Sequence, residues 1–226
     1  MDCEMVGVGR DGAVSALARV SIVNEFGYPI YDKFVSPREE VTDYRTAFSG
    51  IRPSDLVDAP QFTEVQAEVA EILKDRIIVG HDLSHDFQAL LLEHPQKLIR
   101  DTSKFKPFIE AFGNRTPSLK NLAAKFLGMG IQSGEHSSVE DAQAAVGLYK
   151  MHSTKWEKSL MLEESLKLKE SLKLEAASEA NLTVPQGHSQ PKLGGEGDNT
   201  TLGLIAFFLT WIVNGVLCIL EVSNIL

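Results

Sequence analysis

The chain has 226 residues, 43% of them hydrophobic, which is enough for one domain with a buried core and for additional segments. Its formal net charge of −9 argues against a protein that holds nucleic acid by broad electrostatic attraction. The two cysteines, Cys3 and Cys218, lie near opposite ends and the acidic first residues lack the apolar region of a secretory signal, so we expect unpaired thiols in a reducing compartment.

Residues 1–158 alternate between strand and helix patterns. Strands are predicted where apolar residues alternate or form a short buried run, first at Asp2 and then at Ser15–Asn24, Ile30–Val35 and Ile77–Gly80. Helices are predicted where apolar residues recur every three to four positions, at Thr63–Asp75, through Phe87 and Leu91, at Ser118–Leu127 and at Ser138–Met151. Early strands followed by alternating helices and strands predict an α/β domain with a mixed sheet flanked by helices.

One glycine pattern imitates a nucleotide site. Gly7, Gly9 and Gly12 satisfy G-x-G-x-x-G, which binds dinucleotides when a strand precedes it and a helix follows it. Here the following segment alternates as a strand does. The glycines therefore predict a hairpin turn.

Three further segments follow this domain. Residues 159–180 contain a short tandem duplication of Glu, Lys, Ser and Leu, which predicts a solvated helical extension. Residues 181–201 are rich in Gly, Ser, Pro, Gln and Asn and predict a disordered linker. Residues 202–220 carry no charge and predict an apolar C-terminal helix, either a transmembrane tail or an apolar end that stays outside the membrane.

Acidic residues at three places suggest a metal site. Asp2 and Glu4 lie two positions apart on a strand, so their carboxylates share one face. Asp82 and Asp86 lie one helical turn apart, and the pattern does not choose between them. With Asp141 these acids could hold two hard cations such as Mg²⁺, about 4 Å apart, as phosphodiester cleavage requires. Each acid by itself is equally consistent with an ordinary surface position.

The region around Asp141 has a second interpretation. Ser138 with Asp141, or Ser137 with Glu140, fits a helix capping box. His136 just before this helix could be an exposed loop residue. Only the conjunction of these residues with the earlier acids favours a catalytic site.

Five sequence blocks occur in the order found in one enzyme family. They read MDCEMVG at 1–7, DYRT at 43–46 with SGI at 49–51, GHDLSHDFQAL at 80–90, RDT at 100–102, and HSSVEDA at 136–142. With them the chain resembles the DEDDh class of 3′→5′ exonucleases, in the interferon-stimulated 20-kilodalton exonuclease and RNA exonuclease 4-like branch. The resemblance covers residues 1–158 and implies an RNase H-like fold.

The resemblance also implies roles for particular residues. Two Mg²⁺ ions, with Mn²⁺ as a substitute, would be held by four carboxylates: Asp2, Glu4, Asp86 and Asp141. Asp86 is selected over Asp82 because the family's acid directly precedes an aromatic or leucine residue, here Phe87. His136 would be the general base for the attacking water, a role suited to histidine because its reference pKa lies near neutral.

The activity expected from the resemblance is metal-dependent 3′→5′ hydrolysis of RNA that releases 5′-nucleotides, with single-stranded DNA as a second candidate substrate. Met5 and Arg45 match positions that contact the terminal nucleotide and its ribose, so they are candidates for an RNA preference through the 2′-OH. Relatives imply ribosomal RNA processing in the nucleus or nucleolus.

An alternative is a shortened form with impaired catalysis that binds nucleic acid or is tethered to a membrane through residues 202–220. One residue precedes Asp2, so the start of the first strand is expected to be unpaired and to fray. Fraying would displace ligands that need to be placed within about 0.5 Å.

A basic stretch is a candidate for nucleic-acid binding. Lys97–Lys125 contains seven Lys and Arg residues against Asp101 and Glu110. It predicts either solvated helix and loop faces or an electrostatic path that guides a phosphate backbone to the acidic site.

Overall fold

The computed structural model describes residues 1–182, and side chains through residue 175. All but the first two residues of the predicted linker, and the whole predicted apolar helix at 202–220, lie outside this range, as does Cys218. Within the described range, no helix is both long and apolar enough to span a membrane.

The described chain contains six strands and six α-helices. The strands are β1 (Asp2–Val8), β2 (Val14–Val23), β3 (Pro29–Phe34), β4 (Val41–Asp43), β5 (Ile78–Gly80) and β6 (Ile99–Asp101). The helices are α1 (Thr46–Ser49), α2 (Phe62–Leu73), α3 (Leu83–Leu90), α4 (Lys106–Ala111), α5 (Leu119–Leu122) and α6 (Ser138–Leu182). This order confirms the predicted mixed α/β architecture.

The strands combine antiparallel and parallel pairing. Four form an antiparallel sheet in the order β3-β2-β1-β4, and β5 pairs in parallel with β6. The backbone nitrogen of Met1 donates to the Val79 carbonyl at 2.7 Å, so β1 begins beside β5. Asp2 pairs with Ser21 on the other side. The start of β1 is therefore paired on both sides, whereas the sequence led us to expect an unpaired end.

The glycine pattern forms a hairpin turn, as predicted. A short 3₁₀ turn at Arg10–Gly12 joins the antiparallel strands β1 and β2. Gly9 and Gly12 have φ of 71° and 68°, a region that glycine adopts without a steric penalty. At Gly7 an added Cβ would lie 2.7 Å from the Gly12 carbonyl oxygen, so the two backbones approach too closely for a side chain.

Helix α2 packs into the core through the apolar face that its sequence periodicity predicts. Val65, Val69 and Leu73 repeat on one face and are all buried, together with Phe62. They pack in one cluster with Leu17, Val20 and Ile22 of β2 and with Leu83, Phe87 and Leu90 of α3. Cys3 on β1 is buried in the same cluster. This packing fixes β1 and α3 relative to each other.

The predicted helix at Ser118–Leu127 is interrupted. Residues Leu119–Leu122 are α-helical, and Ala123–Leu127 form a π-helical turn that ends at Gly128. This segment packs with an aromatic cluster in which the rings of Phe105 and Trp156 stack at 4.0 Å. Periodicity of the apolar residues alone does not distinguish a π-turn from a continued α-helix.

Helix α6 is longer than the helix predicted to end at Met151. It runs from Ser138 to Leu182 and passes the predicted boundary between residues 158 and 159 without a break. Its first half is buried through Ala142, Ala144, Ala145, Leu148 and Trp156. The compact unit that contains the described strands extends from Met1 to Ser171.

Candidate active site

Strand β1 presents two carboxylates beside each other. Asp2 and Glu4 alternate with the core residue Cys3, so both point away from the cluster in which Cys3 is buried. Glu4 is only 7% exposed. The ladder with β2 is irregular between Glu4 and Met5, and such an irregularity redirects the side chains next to it.

The start of helix α3 separates Asp82 from Asp86. Asp82 has φ of 56° at the cap of the helix, and its N–H donates to the Asp101 carboxylate at 2.8 Å. Its own carboxylate contacts His85 at 3.0 Å and is half exposed. Asp86, one turn later, is buried. Burial beside β1 therefore favours Asp86 as the functional acid, a choice that the sequence pattern alone left open.

The first turn of α6 supplies Asp141. This residue is buried, and its Oδ2 accepts a hydrogen bond from Gln132 Nε2 at 2.7 Å. The helix begins at Ser138, whose hydroxyl contacts the Ser21 hydroxyl at 2.6 Å in the core. A capping box with Ser138 outside the helix is therefore wrong, because Ser138 is a helical residue bonded to β2.

Three of the four predicted ligands converge. One carboxylate oxygen each from Asp2, Glu4 and Asp141 lies within 4.8 Å of the others. Asp86 lies near enough to raise the pKa of Asp2, although it is outside this closest group. The sequence-predicted tetrad thus consists of a tight trio with a fourth carboxylate beside it.

The electrostatics of the cluster fit a bound cation. Burial raises the pKa of Glu4 to about 8 and that of Asp86 to about 6, and it also raises the pKa values of Asp2 and Asp141. Among the described residues, nothing donates a hydrogen bond to Glu4 Oε1 or Asp141 Oδ1, although both atoms are buried. Buried carboxylate oxygens without donors are the ligands that hard divalent cations take. The residues present therefore fit a divalent metal.

These pKa shifts predict how the stability of the metal-free protein changes with pH. A folded carboxyl that ionises at about 8 instead of 4.5 keeps its proton while the unfolded chain has lost it. The folded state then binds more protons at Glu4, so the contribution of this group to stability is fully present below about pH 4.5 and is lost as pH rises through about 8. We expect the Tm in EDTA to fall across this range, and Glu4→Gln to reduce that slope. An identical slope in Glu4→Gln would contradict the prediction, and Glu25→Gln in an exposed turn is the control.

His136 lies at the edge of the carboxylate cluster. Its Nδ1 is 3.9 Å from Asp141 Oδ2, too far for a hydrogen bond but close enough for electrostatic attraction. One third of its side chain is exposed, so a water molecule can reach the imidazole. The loop that carries it precedes α6 directly.

A cleft of about 640 Å³ opens beside the cluster. Its walls include the six side chains that matter most for a substrate: Glu4, Met5, Arg45, Phe48, Gln88 and His136. Met5 and Arg45, for which the resemblance implies substrate contacts, both line this cleft. The Arg45 guanidinium is partly used within the chain, because it donates to Gly12 O and to Ser15 Oγ at 2.8 Å each.

The sequence did not identify Phe48 and Gln88 as candidate site residues. Phe48 is 70% exposed although it is a large apolar residue, and Gln88 lies on the exposed side of α3. A single phenylalanine in a short segment looks like a core residue in the sequence. Only its exposure beside the acidic cluster marks it as a candidate contact for a nucleobase.

Most of the basic side chains in Lys97–Lys125 form ion pairs or hydrogen bonds within the chain. Arg100 is buried in an ion pair with Glu157 at 2.7 Å. Lys120 and Lys125 donate to backbone carbonyl oxygens, and Lys104 pairs with Asp101. These contacts favour the structural interpretation for most of the stretch.

Comparison with known proteins identifies the family. A model of the exonuclease family matches residues 1–149. RNA exonuclease 4 of Xenopus tropicalis is 58% identical over 160 residues, which are 71% of this chain and 39% of that protein. RNA exonuclease 4 of Saccharomyces cerevisiae is 54% identical over 159 residues, which are 70% of this chain and 55% of that protein. The chain belongs to the RNA exonuclease 4-like branch of the DEDDh exonucleases.

Solved structures resemble this chain as well. The Pan2 pseudoubiquitin hydrolase–RNA exonuclease module of Saccharomyces cerevisiae, in complex with A7 RNA, is 32% identical with a TM-score of 0.60, and the match covers 81% of this chain and 32% of that chain. The Pan2 catalytic unit of Neurospora crassa is 27% identical with a TM-score of 0.59, over 74% of this chain and 28% of that chain. The chain therefore matches one part of each of these larger proteins.

Proposed function

We propose that this chain is a metal-dependent 3′→5′ exonuclease that hydrolyses RNA and releases 5′-nucleotides. The observation that carries the proposal is the trio of Asp2, Glu4 and Asp141, whose carboxylate oxygens lie within 4.8 Å of one another with Asp86 and His136 nearby. Glu4 and His136 also line an open cleft. The names of its relatives support RNA as the substrate class, since they include RNA exonuclease 4 and a Pan2 RNA exonuclease module in complex with RNA.

Four carboxylates would hold the metal: Asp2, Glu4, Asp86 and Asp141. We propose Mg²⁺, with Mn²⁺ as a substitute, because both prefer carboxylate oxygens. When bound, such ions lower the pKa of a water molecule and offset negative charge that develops on a phosphodiester. The raised pKa values of the cluster mean that the acids lose protons when a cation binds.

His136 acts as the general base. Its Nδ1 faces Asp141, and its Nε2 is the atom that accepts the proton of the attacking water. The negative charge of Asp141 at 3.9 Å stabilises the imidazolium that results. Partial exposure of the ring then allows the proton to pass to solvent.

The cleft binds the terminal nucleotide. Met5 offers an apolar contact, and the exposed ring of Phe48 offers a face on which a base can stack. Arg45 and Gln88 are the polar side chains in reach of a ribose, and the 2′-OH is the group that distinguishes RNA from DNA. Single-stranded DNA is the secondary substrate, since it shares the base and phosphate contacts.

The biological setting is proposed on the family resemblance alone. By that resemblance the chain acts in ribosomal RNA processing in the nucleus or nucleolus. The alternative of a membrane-tethered form rests on residues 202–220, which lie outside the described residues.

A labelled-oligonucleotide assay tests the proposed function. We expect a 5′-labelled single-stranded RNA to shorten one nucleotide at a time in Mg²⁺, and a 3′-labelled RNA to release labelled 5′-mononucleotide at once. Blocking the 3′ end with a phosphate should prevent both. Undiminished cleavage in EDTA would contradict metal dependence, and mononucleotides released from the 5′ end first would contradict the direction. Rates far below those of an RNA exonuclease 4 relative would support the alternative of a form with impaired catalysis.

A further inference from the structure

The loop that carries His136 lies against the end of α1 and the residues that follow it, 48–52, which we call the α1 turn. The backbone N–H of His136 donates to the Phe48 carbonyl at 2.9 Å. Gly50 has φ of 66°, and an added Cβ there would lie 3.1 Å from the His136 carbonyl oxygen. The two backbones are therefore in direct contact, and the close approach leaves little room for a side chain at position 50.

A side-chain bridge reinforces this contact. Arg52 Nη2 donates to Glu135 Oε1 at 2.6 Å, and Arg52 Nη1 donates to the Gly50 carbonyl at 3.0 Å. One guanidinium thus joins the turn to the residue directly before His136. Both partners are about half exposed, with side-chain exposures of 52% and 44%, and exposed pairs add little to folding stability. The bridge is better suited to fixing a geometry than to stabilising the fold.

The α1 turn is held by internal hydrogen bonds and packs on the sheet through Ile51. Thr46 Oγ1 donates to the Ile51 carbonyl at 2.6 Å, and Ser49 Oγ donates to the Tyr44 carbonyl at 2.8 Å. Ile51 is 1% exposed and packs with Val6, a β1 residue two positions after Glu4. Because β1 also carries Asp2 and Glu4, the turn and the acidic cluster share one support.

We propose that Arg52 and Glu135 are positioning residues that hold the His136 loop against the α1 turn and so place the imidazole beside the carboxylate cluster. This inference rests on the proposed role of His136 as general base. Neither Arg52 nor Glu135 touches the reacting atoms. A displacement of a catalytic group by about 1 Å can lower a rate by about 100-fold, so kcat falls with the fraction of molecules in which the His136 loop is displaced.

Four variants test the proposal in the intact chain: Arg52→Ala, Glu135→Ala, the double alanine variant, and the charge swap Arg52→Glu/Glu135→Arg. We expect each single variant to lower kcat by about 2- to 5-fold with KM nearly unchanged, because substrate contacts remain while loss of an exposed pair shifts the position of the loop only modestly. The double variant should be no worse than either single one, since both remove the same interaction. The charge swap should recover part of kcat. Arg10→Ala, which removes an arginine that is 96% exposed, is the matched control.

Hydrogen exchange supplies a readout that does not depend on activity. In metal-free protein the His136 amide should exchange faster in Arg52→Ala than in the wild type, and at the wild-type rate in Arg10→Ala. Where an alanine variant has a lowered Tm, Arg52→Gln and Glu135→Gln repeat both measurements with side chains of similar size.

The outcomes separate this inference from the proposed function. Wild-type kcat in both single variants, alongside a strong loss in His136→Ala, would overturn the positioning role and leave the nuclease proposal intact. A wild-type chain without metal-dependent activity would instead refute the proposed function, and an unchanged exchange rate of the His136 amide in Arg52→Ala would independently refute the positioning contact.

Discussion

Replacing Asp141 with asparagine is expected to lower kcat by about 1000-fold or more. Asp141 is the proposed ligand that α6 brings to the two carboxylates of β1, and its buried Oδ1 has no hydrogen-bond donor among the described residues. An amide is a poor ligand for Mg²⁺ in place of a carboxylate, and loss of several kcal/mol of charge stabilisation corresponds to roughly this factor.

The same substitution should have the opposite effect on stability. In EDTA, Asp141→Asn should raise the Tm, because a neutral group replaces one of several buried acids whose pKa values are raised. Mg²⁺ should raise the Tm of the wild type but not that of Asp141→Asn. Glu140→Gln removes a carboxylate one residue away and should keep both the activity and the Mg²⁺ effect. Wild-type turnover in Asp141→Asn would contradict the proposed site.

Replacing His136 with alanine is expected to lower kcat by about 100- to 10,000-fold, the range typical of general-base catalysis. KM should change little, because the substrate contacts assigned to Met5, Phe48 and Arg45 remain. The increase in Tm caused by Mg²⁺ should also remain, since His136 is not one of the proposed ligands. This retained metal effect distinguishes the histidine variant from Asp141→Asn.

Rescue of activity by added imidazole distinguishes the loss of the general base in His136→Ala from a distortion of the whole site. Added imidazole should restore part of the rate of His136→Ala and should do nothing for Asp141→Asn. A His136→Ala variant that keeps wild-type kcat would show that another group accepts the proton. Loss of the Mg²⁺ effect on the Tm would show that His136 supports the metal site itself.

Much of the candidate site could be predicted from local sequence patterns. The spacing of Asp2 and Glu4 on a strand is enough to place both carboxylates on one face, and the structure shows them side by side. The alternating pattern after Gly12 correctly predicted a hairpin instead of a dinucleotide site. These features depend on period and turn chemistry, which are properties of short segments.

Other features depended on long-range packing. Asp82 and Asp86 share a helix face in the sequence, but only Asp86 is buried against β1. The resemblance named Asp141 as a ligand, but its burial beside β1 depends on the start of α6 at Ser138, whose hydroxyl is bonded to Ser21 of β2. The resemblance selected Asp86 from the motif before Phe87, but the burial of one acid and the exposure of its neighbour depend on which elements pack together, and helical spacing does not encode that.

The sequence by itself predicted the α/β class, because hydrophobic period acts within one element at a time. Its five motif blocks, through the resemblance they carry, indicated the family and the candidate acidic residues. The tertiary structure alone decided which acids converge, left Phe48 exposed at the cleft and joined Arg52 to Glu135 across 83 positions of the chain. Such contacts are made by surfaces that meet only after folding. Their distances and burial are therefore set by packing of the whole domain.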